Sequence, residues 1–293
     1  MNKNSLIKFV DLEQGSDEWK EFRKWKLGSS SAASIMGVGF KTPLQLFEDI
    51  MEDKETPVNE AMLRGTRLEP VARQYLNDKY GSNLQPVVVE HPAKKSSWHI
   101  SSLDGFYERP DGSIFVCEIK CPGIIDHQKA LDGEIPEKYI PQLYHILEDL
   151  PGVDKILYFS YMPDSQAEVW FFRDKEKMEK QFKAEEEFYR RILDCKPPEP
   201  MDKDWVYIDD MSLQMKAAEY QEACRQIEIL ENEKERLKKD LINTAHVRSR
   251  IGSLKIQRVN RAGSIDYSKI EALKDMDLSP YRKASITTWR LST

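Results

Sequence analysis

Cysteine is scarce in this chain, with four residues at 117, 121, 195 and 224. They show no repeated ligand spacing, which excludes a disulfide scaffold, a zinc ribbon and an iron–sulfur site and suits a reducing compartment. No stretch approaches the roughly eighteen uninterrupted apolar residues of a membrane helix. The N-terminal stretch, Met1 to Lys8, lacks the long apolar segment of a signal peptide. A cytoplasmic protein without a membrane partner is therefore expected. A Gly-Lys-Ser/Thr phosphate loop is missing, which excludes an ATP-driven motor. The five histidines (91, 99, 127, 145, 246) do not cluster along the chain, and His145 reads as a helix-face residue. Internal repeats and low-complexity tracts are also lacking. The net charge of −6 argues mildly against a protein that coats nucleic acid, but an acidic centre within a locally basic groove stays compatible with it.

The most informative residues present are Asp104 and Glu118-Ile119-Lys120. Asp104 follows the short run Trp98-His99-Ile100, and Glu118 to Lys120 closes a second run that starts at Ser113. The Glu108-Arg109-Pro110-Asp111-Gly112 string between them is turn-forming. This predicts a β-hairpin with an acid on each strand. Side chains alternate along a strand, so Glu118 and Lys120 share one face and Ile119 points to the other.

Around this hairpin the pattern predicts helices over 17–25 with Ser16 as N-cap, 32–36, 44–51, 59–80 ended by Gly81, 136–150 and 174–194. Strands are expected over 84–90, 155–161 and 169–172. The Pro197-Pro198-Glu199-Pro200 cluster punctuates the chain and places a boundary there. The expected organisation is an α/β (α+β) core over 1–200 with a central mixed sheet flanked by helices. An extension follows over 201–293. It begins with a helix over 211–243, read as packing against the core in preference to forming a free coiled coil. A small β-containing appendage follows, with strands at 254–259 and 286–291.

Two carboxylates and a lysine on one sheet surface can hold a divalent cation and stabilise charge on a phosphate, the chemistry of phosphodiester hydrolysis. Mg2+ takes one or two carboxylates with water and phosphate, so Asp104 and Glu118 are the obvious ligands and the Ile119 carbonyl a further one. Lys120 supplies a point charge beside the attacking water or the scissile phosphate. A two-ion centre, with ions about 3.5–4 Å apart, needs another acid, and Glu69 is the best candidate. Each residue also has a bland alternative. Arg23 pairs with Glu18 or Glu21 on a surface helix, Ser29 to Ser31 act as a cap, Gln142 is an ordinary first-turn residue, and Glu69 begins a helix ahead of Pro70. The basic residues from Lys234 to Arg261 either contact a DNA backbone or line a solvated face.

Leu103-Asp104-Gly105 followed by Cys117-Glu118-Ile119-Lys120-Cys121-Pro122 resembles the PD-(D/E)xK nuclease signature. Trp19-x-x-x-Arg23 with Gly28-Ser29-Ser30-x-Ala32, Gly65-x-x-x-Glu69-x-x-x-Arg73 and Tyr139-x-x-Gln142 occur in the order found in the YqaJ and lambda-exonuclease branch of that superfamily. Tyr144 stands where relatives often have a second glutamine. The resemblance implies a restriction-endonuclease-like core, metal binding by Glu69, Asp104, Glu118 and the Ile119 carbonyl, and Lys120 as catalytic lysine. It implies a 5′-phosphate clamp of Arg23 and Ser30, with Gln142 and Tyr139 positioning water or strand. The implied activity is a Mg2+-dependent exonuclease (Mn2+ substituting) that degrades duplex DNA ends 5′ to 3′ for recombination. It would work in a bacterial or phage-infected cell, as a homo-oligomeric ring such as a trimer, beside a single-strand annealing protein. An endonuclease of the same fold and a non-catalytic DNA-binding protein are the alternatives.

Overall fold

The computed structural model describes residues 6–12, 15–54, 57–245 and 247–259, with shorter stretches at 263–264, 266, 269–273, 276 and 279–283. Backbone contacts gather the chain into two units, Met1–Val206 and Tyr207–Thr293.

The first unit is built on one mixed sheet. Its strands are β1 (Lys8–Val10), β2 (Leu27–Gly28), β3 (Gln85–Glu90), β4 (His99–Glu108), β5 (Ile114–Lys120), β6 (Lys155–Met162) and β7 (Ser165–Phe172). Their order is β1-β3-β4-β5-β6-β7, with β2 pairing β4. β4 and β5 form the expected antiparallel hairpin, whereas β5 and β6 run parallel. A parallel step needs a crossover, and α5 (Ile124–Leu131) and α6 (Ile140–Asp149) supply it. Of these, α5, β1 and β2 were not legible beforehand.

Alternation along β5 sorts its side chains between two apolar layers. Phe115, Cys117 and Ile119 pack with Ala72 and Leu76 of α4 (Glu60–Tyr80). Val116 packs on the other side with Leu143 and Ile146 of α6. Glu118 and Lys120 therefore lie on the α6 side. The helix starts follow local capping chemistry. Ser16 accepts from Trp19 N to open α1 (Asp17–Arg23), and Thr42 with Gln45 forms a capping box before α3 (Pro43–Met51). Asp174 caps α7 (Lys175–Leu193), and Gly81, in the left-handed region, ends α4. Pro70 lies inside α4, so the idea that Glu69 merely begins a helix is wrong. The 136–150 expectation is trimmed, because a single 3-10 turn over Glu137–Tyr139 precedes α6.

The second unit has α8 (Met211–Thr244), opened by the Asp210 side chain, and an antiparallel hairpin of β8 (Ser249–Ile251) and β9 (Leu254–Ile256). No residue of α8 is buried. The strand at 254–259 is half its expected length, and the one expected at 286–291, with Trp289, lies outside the described residues.

A charged cluster sits in the first unit where β4, α6 and α7 meet. The His99 Nδ1 lies 2.7 Å from Asp149 Oδ1 and its Nε2 2.8 Å from Glu185 Oε2. The His145 ring stacks on His99 at 3.5 Å, with Nδ1 on Glu185 and Nε2 on the Ile100 carbonyl. Ser101 and Gln181 donate to the same two carboxylates. Burial disfavours a charged His99 ring, but Asp149 and Glu185 outweigh it and raise its pKa to about 10. Removing one partner of a buried pair strands the other, so Asp149→Ala should cost about 3–5 kcal/mol in chemical denaturation. His99 carries a raised pKa, so its stabilisation is complete below about pH 6.5 and fades as the pH rises through about 10. Urea midpoints should fall across that interval; a flat profile would show that the ring is not held as a cation.

Candidate active site

The sheet and α6 bring five of the expected residues to one place. Gly105 of β4 pairs with Cys117 of β5, so the preceding residue, Asp104, stands opposite Glu118. Lys120 Nζ donates to Glu118 Oε1 at 2.6 Å, and Gln142 Nε2 of α6 donates to the same oxygen at 2.6 Å. Glu118 Oε2 is buried and has no hydrogen-bond partner among the described residues. One oxygen of this carboxylate is thus clamped by two donors while the other is bare. Burial, then the neighbouring Asp104 charge, pushes Glu118 up to about 8. The proton then belongs on Oε2, since Oε1 already accepts twice.

Asp104 Oδ2 accepts from Ile119 N at 2.8 Å. Burial raises the Asp104 pKa, with Lys120 opposing. For Lys120 burial lowers the pKa, but Glu118 and Asp104 together outweigh it and leave the ammonium more firmly protonated than usual. Lys120 is thus placed as a positive charge beside the two carboxylates. Tyr139 lies beneath it, its ring centroid 5.5 Å from Nζ.

Two features at Asp104 escaped sequence reading. The register between β3 and β4 shifts by one residue, because Gln85 pairs Phe106 while Val87 pairs Leu103. The extra residue lies at Asp104-Gly105, a β-bulge of the kind that re-aims a side chain. Gly105 is required there, because a Cβ would stand 2.5 Å from Cys117 Sγ. The second feature is Arg73, which donates from Nε to the Asp104 carbonyl at 2.5 Å and pairs with Glu69 through Nη2. The one-turn spacing of Glu69 and Arg73 was a readable signal for that pair.

Glu69 joins the cluster from α4 but is turned toward Arg73. Burial, then the Asp104 charge, raises its pKa. Among the described residues, the donor atoms that converge most tightly are instead those of His99, His145 and Glu185, all within 4.8 Å. That group does not suit an ion. Its rings stack in parallel and all four ring nitrogens face oxygen atoms, whereas ligands to one metal aim their lone pairs at a common centre. The chemistry of Asp104 and Glu118 suits a hard cation better: oxygen donors side by side, and one buried oxygen without a hydrogen-bond partner among the described residues.

Arg23 and Ser30 lie close to each other. Both Arg23 Nη2 and Ser30 Oγ fall within 4.0 Å of the point where a Gly28 Cβ would stand. Arg23 stacks on Trp19 at 4.4 Å and makes no ion pair among the described residues, so the Glu18 or Glu21 pairing is not formed. Glu21 pairs with Lys24 instead. Burial lowers the Arg23 pKa. The 3-10 turn of Ser29–Ser31 packs against α6, the helix that carries Gln142.

Residues 18–148 match the YqaJ-like viral recombinase domain. The uncharacterized protein YqaJ of Bacillus subtilis (strain 168) is 27% identical over 207 residues, which cover 67% of this chain and 63% of that protein. The alignment thus spans less than two thirds of the relative's length. An alkaline exonuclease, LHK-Exo from Laribacter hongkongensis, superposes with a TM-score of 0.52 at 21% identity, covering 70% of this chain and all of that one. The LHK-Exo complex with dAMP gives 0.50 at 23% identity over 62% and 96%. At these identities the likeness is one of fold.

The bulge makes its own prediction. Gly105→Ala should destabilise the chain by about 1–3 kcal/mol through overpacking, and adding Cys117→Ala should recover part of that loss. Thermal unfolding of the two single variants and the double variant checks it. Strictly additive losses would separate Gly105 from the Cys117 thiol.

Proposed function

We propose that the YqaJ-like domain of this chain is a metal-dependent deoxyribonuclease acting on duplex DNA ends, degrading the 5′-terminated strand and leaving a 3′ single strand for recombination. The observation that carries this reading is the bare, buried Oε2 of Glu118 beside Asp104, with Lys120 and Gln142 on the opposite oxygen. Asp104 and Glu118, with Glu69 and the Ile119 carbonyl, would hold Mg2+, or Mn2+ in its place. The bound metal supplies activation of water and neutralisation of the phosphate. Lys120 keeps its proton and offsets negative charge on the scissile phosphate. Gln142 fixes the Glu118 carboxylate and Tyr139 lies beneath the lysine, so both orient the centre. Arg23, which stacks on Trp19 and makes no ion pair among the described residues, and Ser30 would grip a terminal 5′-phosphate and so set the direction of digestion. The nuclease core would span 1–200, with 201–293 as an extension for assembly. Homo-oligomerisation as a ring, a single-strand annealing partner and a cytoplasmic setting complete the proposal.

Linear duplex should be digested only with Mg2+ or Mn2+, while covalently closed circles stay intact; nicked circles would favour an endonuclease. Lys120→Ala should lower kcat by about 10²–10³-fold without unfolding the chain. Arg23→Ala should reduce the preference for 5′-phosphorylated over 5′-hydroxyl ends by about tenfold or more. Equal rates on both ends in the unmodified chain would remove the clamp. Because a proton on Glu118 competes with the cation, activity at limiting Mg2+ should rise with pH through about 8. More Mg2+ should move that limb to lower pH, and a limb indifferent to Mg2+ would contradict the competition.

A further inference from the structure

The second unit carries a groove and the first–second boundary carries a segment that matches it. The groove lies between the C-terminal half of α8 and β9 and has a volume of about 630 Å3, with Leu230, Leu237, Leu241, Leu254 and Ile256 as its apolar lining. Leu230 is 63% exposed and Leu254 54%, so this surface is open. Lys234, Lys238 and Lys255 border it with one acid, Glu233, and Lys238 pairs with Glu235 one turn back along α8 at 3.0 Å. The segment is Trp205-Val206-Tyr207-Ile208, four consecutive apolar residues in neither helix nor strand, with Trp205 95% exposed. Asp202, Asp204, Asp209 and Asp210 flank it, with a single Lys203 among them. An apolar run between aspartates thus complements an apolar groove between lysines.

The segment cannot reach the groove of its own chain. Leu230 lies nineteen residues along α8 from Met211, which is about 28 Å of straight helix. The six residue steps from Trp205 to Met211 span at most about 21 Å when fully extended, and Ile208 is only three steps from the helix. Docking within one chain is excluded by length. We infer that the groove of one copy receives the Trp205–Ile208 segment of a second copy. Each chain then offers a segment at one end of α8 and a groove toward the other. Such a head-to-tail contact is heterologous and closes into a ring when the rotation per step permits. This assembly surface stands on its own observations and does not depend on the nuclease reading.

Sedimentation velocity on the full chain, up to on the order of 100 µM, tests it by mass alone, whatever the catalytic activity. The unmodified chain should associate, and Trp205→Ala and Leu237→Asp should each weaken that association at least about tenfold. Mixed together, the two variants should form a one-to-one dimer, because each retains the surface the other has lost. A synthetic peptide of residues 201–210 should dissociate the unmodified assembly, which keeps the test independent of how either variant folds. A chain that stays monomeric over this range overturns the inference. So does a Trp205→Ala chain that assembles as tightly as the unmodified one, the result expected if α8 pairs directly with another α8. Variants that stay monomeric when mixed, or a peptide without effect, overturn it as well.

Discussion

Two carboxylates forced together on neighbouring strands are the constraint on which this structure turns. Asp104 and Glu118 face each other across the β4–β5 hairpin, out of bulk water, where like charges cannot both ionise without compensation. Lys120 offsets one charge, and Gln142 joins it on a single oxygen of Glu118. The remaining oxygen, beside Asp104, accepts no hydrogen bond among the described residues. A proton or a cation satisfies it equally well in electrostatic terms, and which one is present depends on pH and metal concentration.

The scaffold around the pair is arranged so that neither acid can turn away. The bulge at Asp104-Gly105 lets β4 approach Cys117 and aims the aspartate at β5. Arg73 ties the Asp104 carbonyl to Glu69 on α4, while α6 delivers Gln142 from the other side of the sheet. Beneath α6, the buried His99, His145, Asp149 and Glu185 cluster joins β4, α6 and α7 through charge-assisted hydrogen bonds. Fully satisfied networks of this kind rigidify, and this one holds the same helix that positions Gln142.

Much of this was legible in the residues. Turn chemistry at Glu108 to Gly112 and strict alternation along Ser113 to Lys120 specified the hairpin and its acidic face, because a strand with one buried face cannot slip register. Helix starts were readable wherever Ser16, Asn59 or Asp174 capped them. What escaped depended on tertiary partners. β1 and β2 are too short to show a period. The bulge depends on the Cys117 thiol opposite, and five histidines that look scattered in sequence include two that stack in space. The helical period of α8 was clear, but periodicity says that a face is apolar and not what covers it.

The most direct measurement of the central claim is calorimetric titration of Mg2+ into the chain in buffers of different ionisation enthalpy, which counts protons released on binding. With Glu118 held near 8, binding at pH 7 should release close to one proton, and at pH 9 far less. Glu118→Gln should lose both the proton release and most of the affinity. Binding without proton release at pH 7, or undiminished in Glu118→Gln, would contradict the assignment of Glu118 Oε2 as the position that proton and cation share.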